Sequence, residues 1–135
     1  MTDVEGNLTA TQYEILEVVW NHGGHGASVA EIWRAILNRR SVGRTTVLNL
    51  VDRLEKRGWL VRRDGQRPVR YVAARDRSRT NSLLAGSFVD DFFGGSASGL
   101  VMSLLGAERL SHEEIEHLRS VLDQAKTVRS AKKGE

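Results

Sequence analysis

Apolar positions recur with a helical period through most of this chain, and the pattern switches to short β-rich runs only once. Tyr13, Leu16, Val19 and Trp20 fall at helical spacing. Thr9-Ala-Thr-Gln12 ahead of them reads as a capping box, with Thr9 capping and Gln12 reaching back. Asn21-His-Gly-Gly-His-Gly26 ends that helix with glycines able to take positive φ. Ser28-Val-Ala-Glu31 is a second capping box, followed by a stripe of Val29, Ile32, Trp33, Ile36 and Leu37. After a turn over Asn38 to Gly43, Val47, Leu50, Val51 and Leu54 sit at i, i+3, i+4 and i+7 of a third helix. Gly58 is placed to end it, just after Lys56 and Arg57, whose charges suit the C-terminal dipole.

The period then changes. Trp59 to Arg63 and Pro68 to Ala73 read as two strands paired across Asp64-Gly-Gln-Arg67, Asp-Gly being a strong hairpin signal. Pro68, the sole proline, stands at a strand start, where it is tolerated. Helical spacing returns in Leu83, Leu84, Phe88 and Phe92, within a helix expected over Asp76 to Phe93. Gly94 to Ser98 breaks it, and Leu100 to Leu105 reads as a short, very apolar helix bounded by Gly99 and Gly106. A third capping box, Ser111 to Glu114, starts a last helix whose stripe is Ile115, Leu118, Val121, Leu122 and Ala125.

A polar helix followed at once by an arginine-studded hairpin is the pattern of a winged helix-turn-helix. The expected fold is mainly α: a winged helix-turn-helix domain with a small β-hairpin wing over residues 1–74, a three-helix dimerisation domain over 75–126, and a flexible tail over 127–135. The winged domain has its own core in Ile15, Leu16, Val19, Ile32, Ile36, Leu50 and Leu54. The later helices carry more apolar surface than three short helices can bury among themselves. Leu84, Phe88, Phe92, Leu100, Val101, Leu104, Leu105, Leu118 and Leu122 are therefore expected to meet a second copy of the chain.

Charge sharpens the picture. The 135 residues carry a net charge of only +3, but Arg34 to Arg79 hold 14 lysines and arginines against four acids. That is a local excess of +10, so the remainder carries −7, a polarisation that fits a polyanion partner for one half. Opposite its apolar stripe the third helix presents Thr45, Asn49, Asp52 and Lys56, flanked by Thr46, Leu48 and Arg53. Thr45, Thr46 and Asn49 are short enough for close approach to base edges, Asn suiting adenine and a Thr methyl the thymine methyl. Arg44 and Arg53 can reach phosphates or guanine, and Arg62, Arg63, Arg67 and Arg70 extend the basic surface as a wing would. Strand alternation leaves open which of Arg62 and Arg63 points outward. The partner implied is double-stranded DNA carrying an inverted repeat, since a two-fold dimer presents two such helices about 34 Å apart.

Other chemistry is absent. There is no cysteine, hence neither a disulfide nor a thiolate metal site. His22 and His25 lie in a glycine-rich loop without a third ligand, and His112 and His117 are five apart, about 140° around a helix, too far to share a metal. No catalytic constellation and no phosphate-cradling glycine loop is present, so neither an enzyme, a cofactor nor a metal is expected. No apolar run approaches the roughly 18 residues of a membrane span, and no signal peptide opens the chain, so a cytoplasmic protein without membrane insertion is expected.

Over about residues 8 to 126 the sequence resembles the penicillinase repressors (the BlaI/MecI/CopY family). The resemblance rests on Leu8-Thr-Ala-Thr-Gln-Tyr-Glu-Ile-Leu-Glu-Val-Val-Trp20, on Thr45-Thr-Val-Leu-Asn-Leu-Val-Asp-Arg-Leu-Glu-Lys-Arg-Gly58, on Tyr71, and on the helical C-terminal part with Phe92-Phe-Gly-Gly95. It implies a homodimeric transcriptional repressor that reads an inverted-repeat operator with its third helix, by position Arg44, Thr45, Thr46, Leu48, Asn49 and Arg53. Members controlling β-lactam resistance are relieved by proteolysis at an Asn-Phe bond in the short apolar helix, for which the matching pair here is Ser103-Leu104. The partner this implies is a membrane metalloprotease-sensor or the protease it produces. Copper-responsive members use C-terminal cysteines, which this chain lacks. Two other readings stay open: a ligand-responsive regulator of the MarR type, and a winged-helix module that binds protein.

Overall fold

The computed structural model describes residues 7–65 and 67–133. Gln66 of the expected turn, residues 1–6 of the expected first domain and residues 134–135 of the expected tail lie outside the described residues. In chain order the elements are α1 (Ala10–Asn21), a single 3-10 turn (Gly23–His25), α2 (Val29–Leu37), α3 (Arg44–Lys56), β1 (Leu60–Arg63), β2 (Arg70–Ala73), α4 (Arg77–Phe92), α5 (Ala97–Gly106) and α6 (His112–Lys133). This is a helix-turn-helix with a β-hairpin wing. The chain divides into two compact units, Met1–Phe88 and Val89–Glu135.

All three capping boxes form. Thr9 accepts from the Gln12 N–H at 3.2 Å while Gln12 accepts from Thr9 at 2.9 Å, and Ser28–Glu31 and Ser111–Glu114 repeat the exchange. α3 ends in a Schellman motif: Gly58 (φ 83) donates to Glu55 O at 3.0 Å and Trp59 donates to Leu54 O at 2.9 Å. Leu54 and Trp59 are both buried, the apolar contact that accompanies such a cap.

The first unit closes around Ile15, Leu16, Val19, Ile32, Ile36, Val47, Val51, Leu54, Trp59, Leu60 and Tyr71. Leu50, expected in this core, is only half-buried and packs at its margin. It lies at the edge of the stripe that Val47, Val51 and Leu54 centre. The hairpin pairs Leu60 with Ala73, Val61 with Val72, Arg62 with Tyr71 and Arg63 with Arg70. Its outer edge is taken by Ala27, which exchanges two hydrogen bonds of 2.9 Å with Tyr71. This third, one-residue strand requires Gly26. Its φ of 77 and ψ of −179 belong to a region essentially limited to glycine, and a Cβ there would lie 2.6 Å from Tyr71 O.

The unit boundary lies beyond the 74/75 division expected from sequence because the first turns of α4 dock on α1. Trp20 Nε1 donates to Arg75 O at 2.9 Å, Tyr13 Oη donates to Asn81 Oδ1 at 2.7 Å, and Arg77 reaches Glu17 and Asn21 at 3.3 Å each. The Arg77 guanidinium also stands 5.0 Å from the Trp20 ring centre, a cation–π distance. Tyr13 thus serves α4, while Trp20 both packs against the margin of the core and holds the entry to α4.

In the second unit α5 starts at Ala97 rather than Leu100, because Ser96 caps it by accepting from Gly99 N–H at 3.0 Å. Gly106 is its last helical residue, but the left-handed position that closes it is not a glycine. Glu108 adopts the left-handed conformation (φ 56), and it and Arg109 donate back to Leu105 and Leu104 in a second Schellman pattern. Helix α6 continues through Lys133, across most of the expected flexible tail. No helix among the described residues is long and apolar enough to cross a membrane.

Replacing Gly58 by alanine is expected to cost about 1 kcal/mol of stability through its left-handed conformation. Gly26→Ala should cost more, about 1–3 kcal/mol, because backbone strain is joined by collision with the Tyr71 carbonyl. Urea unfolding midpoints of the two variants check both magnitude and order.

Candidate nucleic-acid interface

Burial of Val47, Val51 and Leu54 turns the other side of α3 to solvent. Arg44, Thr45, Thr46, Asn49, Asp52, Arg53 and Lys56 are all exposed, and Leu48 is 49% exposed between them. An exposed leucine amid short polar side chains is the kind of group that meets a base edge or thymine methyl. Arg44 and Arg53 have no side-chain partner among the described residues, whereas Lys56 pairs with Asp52 at 3.0 Å. Gly43 is the N-cap of α3 and offers no side chain to the first-turn N–H groups. Those donors face outward at the positive end of the helix.

Two side chains, Trp33 and Arg40, hold α3 in this presentation. Trp33 Nε1 donates to Val42 O at 2.9 Å, tying the turn before α3 back onto α2. Arg40, in that same turn, donates to Thr11 Oγ1 at 3.1 Å and pairs with Glu14, anchoring it to α1. Neither role was legible from periodicity, which marked Trp33 only as part of an apolar stripe.

The hairpin register settles which way its arginines point. Arg62 shares a strand face with Leu60 and with Tyr71, directly opposite it, and lies 3.4 Å from Asp64. Burial pushes the Tyr71 phenol above its ordinary value, partly opposed by the Arg62 charge. Arg63 and Arg70 oppose each other on the other face. Arg63 donates to Gly24 O at 2.5 Å, and Arg70 donates to Gly26 O at 3.2 Å and to Glu31 Oε1 at 2.7 Å. Arg67 is exposed beside the turn. The nine expected polar contacts therefore divide: seven are on open surface, while Arg63 and Arg70 are occupied by the chain's own Gly23–Glu31 segment.

The neighbouring His22 is engaged as well. His22 Nδ1 lies 2.9 Å from Val18 O and its Nε2 lies 3.7 Å from Glu31 Oε2. Among the described residues no group of three His, Cys, Asp or Glu side chains could hold a metal ion. A cleft of about 150 Å³ lies between Glu14, Val18, His22, Ile36 and Arg39.

The residues expected at a dimer contact are spread over α4, α5 and α6. From Val89 onward no described residue is buried. Leu84, Leu100 and Leu104 are half-buried, while Phe88, Phe92, Val101, Leu105, Leu118 and Leu122 are exposed. Met102, at 69% exposed, belongs with them. Ser103 is exposed within α5 and Leu104 follows it in the same helix.

The sequence profile described as penicillinase repressor matches residues 8–124. The chain belongs to the penicillinase repressor family. This family member is 25% identical over 117 residues to the methicillin resistance regulatory protein MecI of Mammaliicoccus sciuri, covering 87% of this chain and 94% of that protein. The penicillinase repressor of Staphylococcus aureus is 24% identical over 123 residues, 91% of this chain and 96% of that protein. That of Bacillus licheniformis is 24% identical over 119 residues, 88% of this chain and 91% of that protein. Among solved structures, the monomeric form of Bacillus licheniformis BlaI in complex with the blaP half-operator aligns with a TM-score of 0.48 and 20% identity, over 58% of this chain and 92% of that one. The S. aureus MepR–DNA complex aligns with a TM-score of 0.44 and 20% identity, over 90% and 78%.

Glu31 is electrostatically perturbed as well. Foremost the Ser28 N–H hydrogen bond holds its carboxyl below the ordinary value of 4.5, against desolvation, with the Ser28 hydroxyl, Arg70 and His22 adding to it. A carboxyl whose folded value is lowered stabilises the fold above its unfolded value and loses that contribution as pH falls through the folded one. Unfolding free energy is accordingly expected to drop on acidification below about pH 4.5. In Glu31→Gln that part of the acid dependence should vanish, which denaturant titrations from pH 6 to pH 3 would reveal.

Proposed function

We propose that this protein is a transcriptional repressor that binds an inverted-repeat operator as a homodimer and blocks transcription by occupying a promoter. The observation that carries the reading is the exposed face of α3, polar and uncapped at its N-terminus, continuous in sequence with an arginine-rich wing inside a segment of local charge +10. Membership of the penicillinase repressor family supports it, as do relatives named as repressors.

Each group has an assigned role. Thr45, Thr46, Leu48 and Asn49 read base edges in the major groove, where a helix fits a width of about 12 Å. Arg44, Arg53, Arg62 and Arg67 supply phosphate contacts, which give affinity and orientation rather than sequence choice. Arg63 and Arg70 contribute positive charge to the wing from the positions where their donors are already engaged.

Homodimerisation is assigned to α4, α5 and α6. A unit whose described residues include no buried side chain, yet which carries Val101, Met102, Leu105 and Leu122 on its surface, gains a core by pairing with a copy of itself. Relief by proteolysis is assigned to the Ser103–Leu104 bond in α5. A cut there removes α6, and with it the linkage that makes the second half-site contact effectively intramolecular. The protease is a membrane metalloprotease-sensor or its product.

A fluorescence-anisotropy titration against duplex DNA at low and high salt tests the reading. Steep salt-dependent binding is expected, and no retention of any duplex at low salt would refute it. Arg53→Ala should lower the salt slope by about one and weaken binding alike on all sequences. Asn49→Ala should instead relax preference at one base pair per half-site, by about 1–3 kcal/mol. Leu122→Asp should shift the protein toward monomer in sedimentation equilibrium, and binding to a full operator should fall much more than binding to a half-site.

A further inference from the structure

Glu31 stands where the start of α2, the loop before it and the wing meet. Its Oε1 accepts from the Ser28 N–H at 2.9 Å and from Arg70 Nη1 at 2.7 Å, and its Oε2 lies 3.7 Å from His22 Nε2. One carboxylate therefore completes the capping box of α2 and also holds the wing.

The wing needs such a hold. A two-stranded hairpin is marginal by itself, and this one has four residue pairs. Its pair nearest the turn is Arg63 opposite Arg70, two cations face to face, an arrangement that destabilises a sheet. The loop before α2, together with the first turn of α2, answers both cations. Arg63 donates to Gly24 O at 2.5 Å, and Arg70 donates to Gly26 O at 3.2 Å and to Glu31. Further toward the base of the wing, the Ala27–Tyr71 bridge makes the other lateral attachment. The stretch from Gly24 to Glu31 thus grips the hairpin at two levels, and Glu31 is the charged member of the upper one.

We propose that Glu31 and Arg70 form a positioning pair that fixes the wing relative to the recognition helix, and that Arg70 acts through this pair instead of touching DNA. The proposal rests on the DNA-binding reading above. It makes Arg70 a positioning residue and leaves Arg62 and Arg67 as the wing's contacts, placed correctly only while the pair is intact.

The chain itself supplies the variant that separates bracing from capping. In α1 the capping box is completed by a glutamine, Gln12, so Glu31→Gln keeps the cap of α2 while removing the charge that holds Arg70. The two roles for Arg70 then predict opposite signs. If Arg70 touched phosphate, removing a neighbouring acid would tighten binding. If it braces the wing, the same change loosens the contacts of Arg62 and Arg67 and weakens binding.

The experiment is an anisotropy titration of wild type, Glu31→Gln, Arg70→Met and the double variant against a labelled mixed-sequence duplex at several salt concentrations. It is run well below each unfolding midpoint, with the active fraction set by stoichiometric titration, so loss of stability alone moves no affinity. Glu31→Gln is expected to weaken binding roughly two- to fivefold and to lower the salt slope, and the double variant to be no weaker than Arg70→Met, as two members of one coupled pair must be. Unchanged or tighter binding by Glu31→Gln, or a double variant weakened by the product of the single effects, overturns the proposal. If Arg70→Met fails to fold by circular dichroism, the sign of the Glu31→Gln effect still decides. A wild type that binds no duplex refutes the DNA reading itself and is told apart at the first titration.

Discussion

Three fully buried side chains, Val47, Val51 and Leu54, fix the rotation of α3 about its own axis, and the rest of the first unit depends on that setting. Burying each is worth about 1.5–3 kcal/mol, so turning the helix by one position would expose hydrocarbon at a cost comparable to a domain's whole stability. With the rotation fixed, Thr45, Leu48, Asn49 and Arg53 have only solvent to face. Trp33 and Arg40 then fix where the helix begins by binding the turn before it to α2 and α1. The Schellman cap at Gly58 fixes where it stops and aims Trp59 into the core, so β1 starts in register with the helix it follows.

The wing is coupled to this arrangement through a loop that looks unremarkable in sequence. Asn21 to Gly26 has the composition of a simple helix stop, but Gly26 brings the backbone against Tyr71 where no side chain fits. From there Ala27 pairs with β2 and Ser28 caps α2. A single run of residues therefore ends a helix, edges a sheet and begins another helix. A compact domain of this size has few other ways to join three helices and a hairpin while satisfying the backbone donors and acceptors it buries.

Much of this was legible beforehand, for physical reasons that differ from element to element. Capping boxes are local reciprocal hydrogen bonds written in four residues, so Thr9–Gln12, Ser28–Glu31 and Ser111–Glu114 could be read directly. The apolar stripe of α3 and the Asp64–Gly65 hairpin are likewise local signals. Long-range roles were not legible. Nothing near Arg70 in sequence announces Glu31, 39 residues away, and nothing near Tyr13 announces Asn81. For this reason the orientation of Arg62 and Arg63 stayed open until the register put Arg62 on the face of Tyr71 and Arg63 on that of Arg70. The start of α5 was misjudged because Gly99, which lies inside the helix, was taken as its boundary, and Gly106 is its last helical residue rather than its stop. Ser96 and the left-handed Glu108 do that work instead.

The two units divide the chemistry as the charge distribution suggested, the cationic surface in one and the uncovered aliphatic surface in the other. Such a division has a purpose only if two copies read one duplex together. Selection of bound sequences from a random DNA pool, using the full-length protein, tests it most directly. The account predicts enrichment of an inverted repeat with half-site centres one or a whole number of helical turns apart. Recovery of a single ungapped half-site with no symmetric partner, or of no sequence preference, would contradict it.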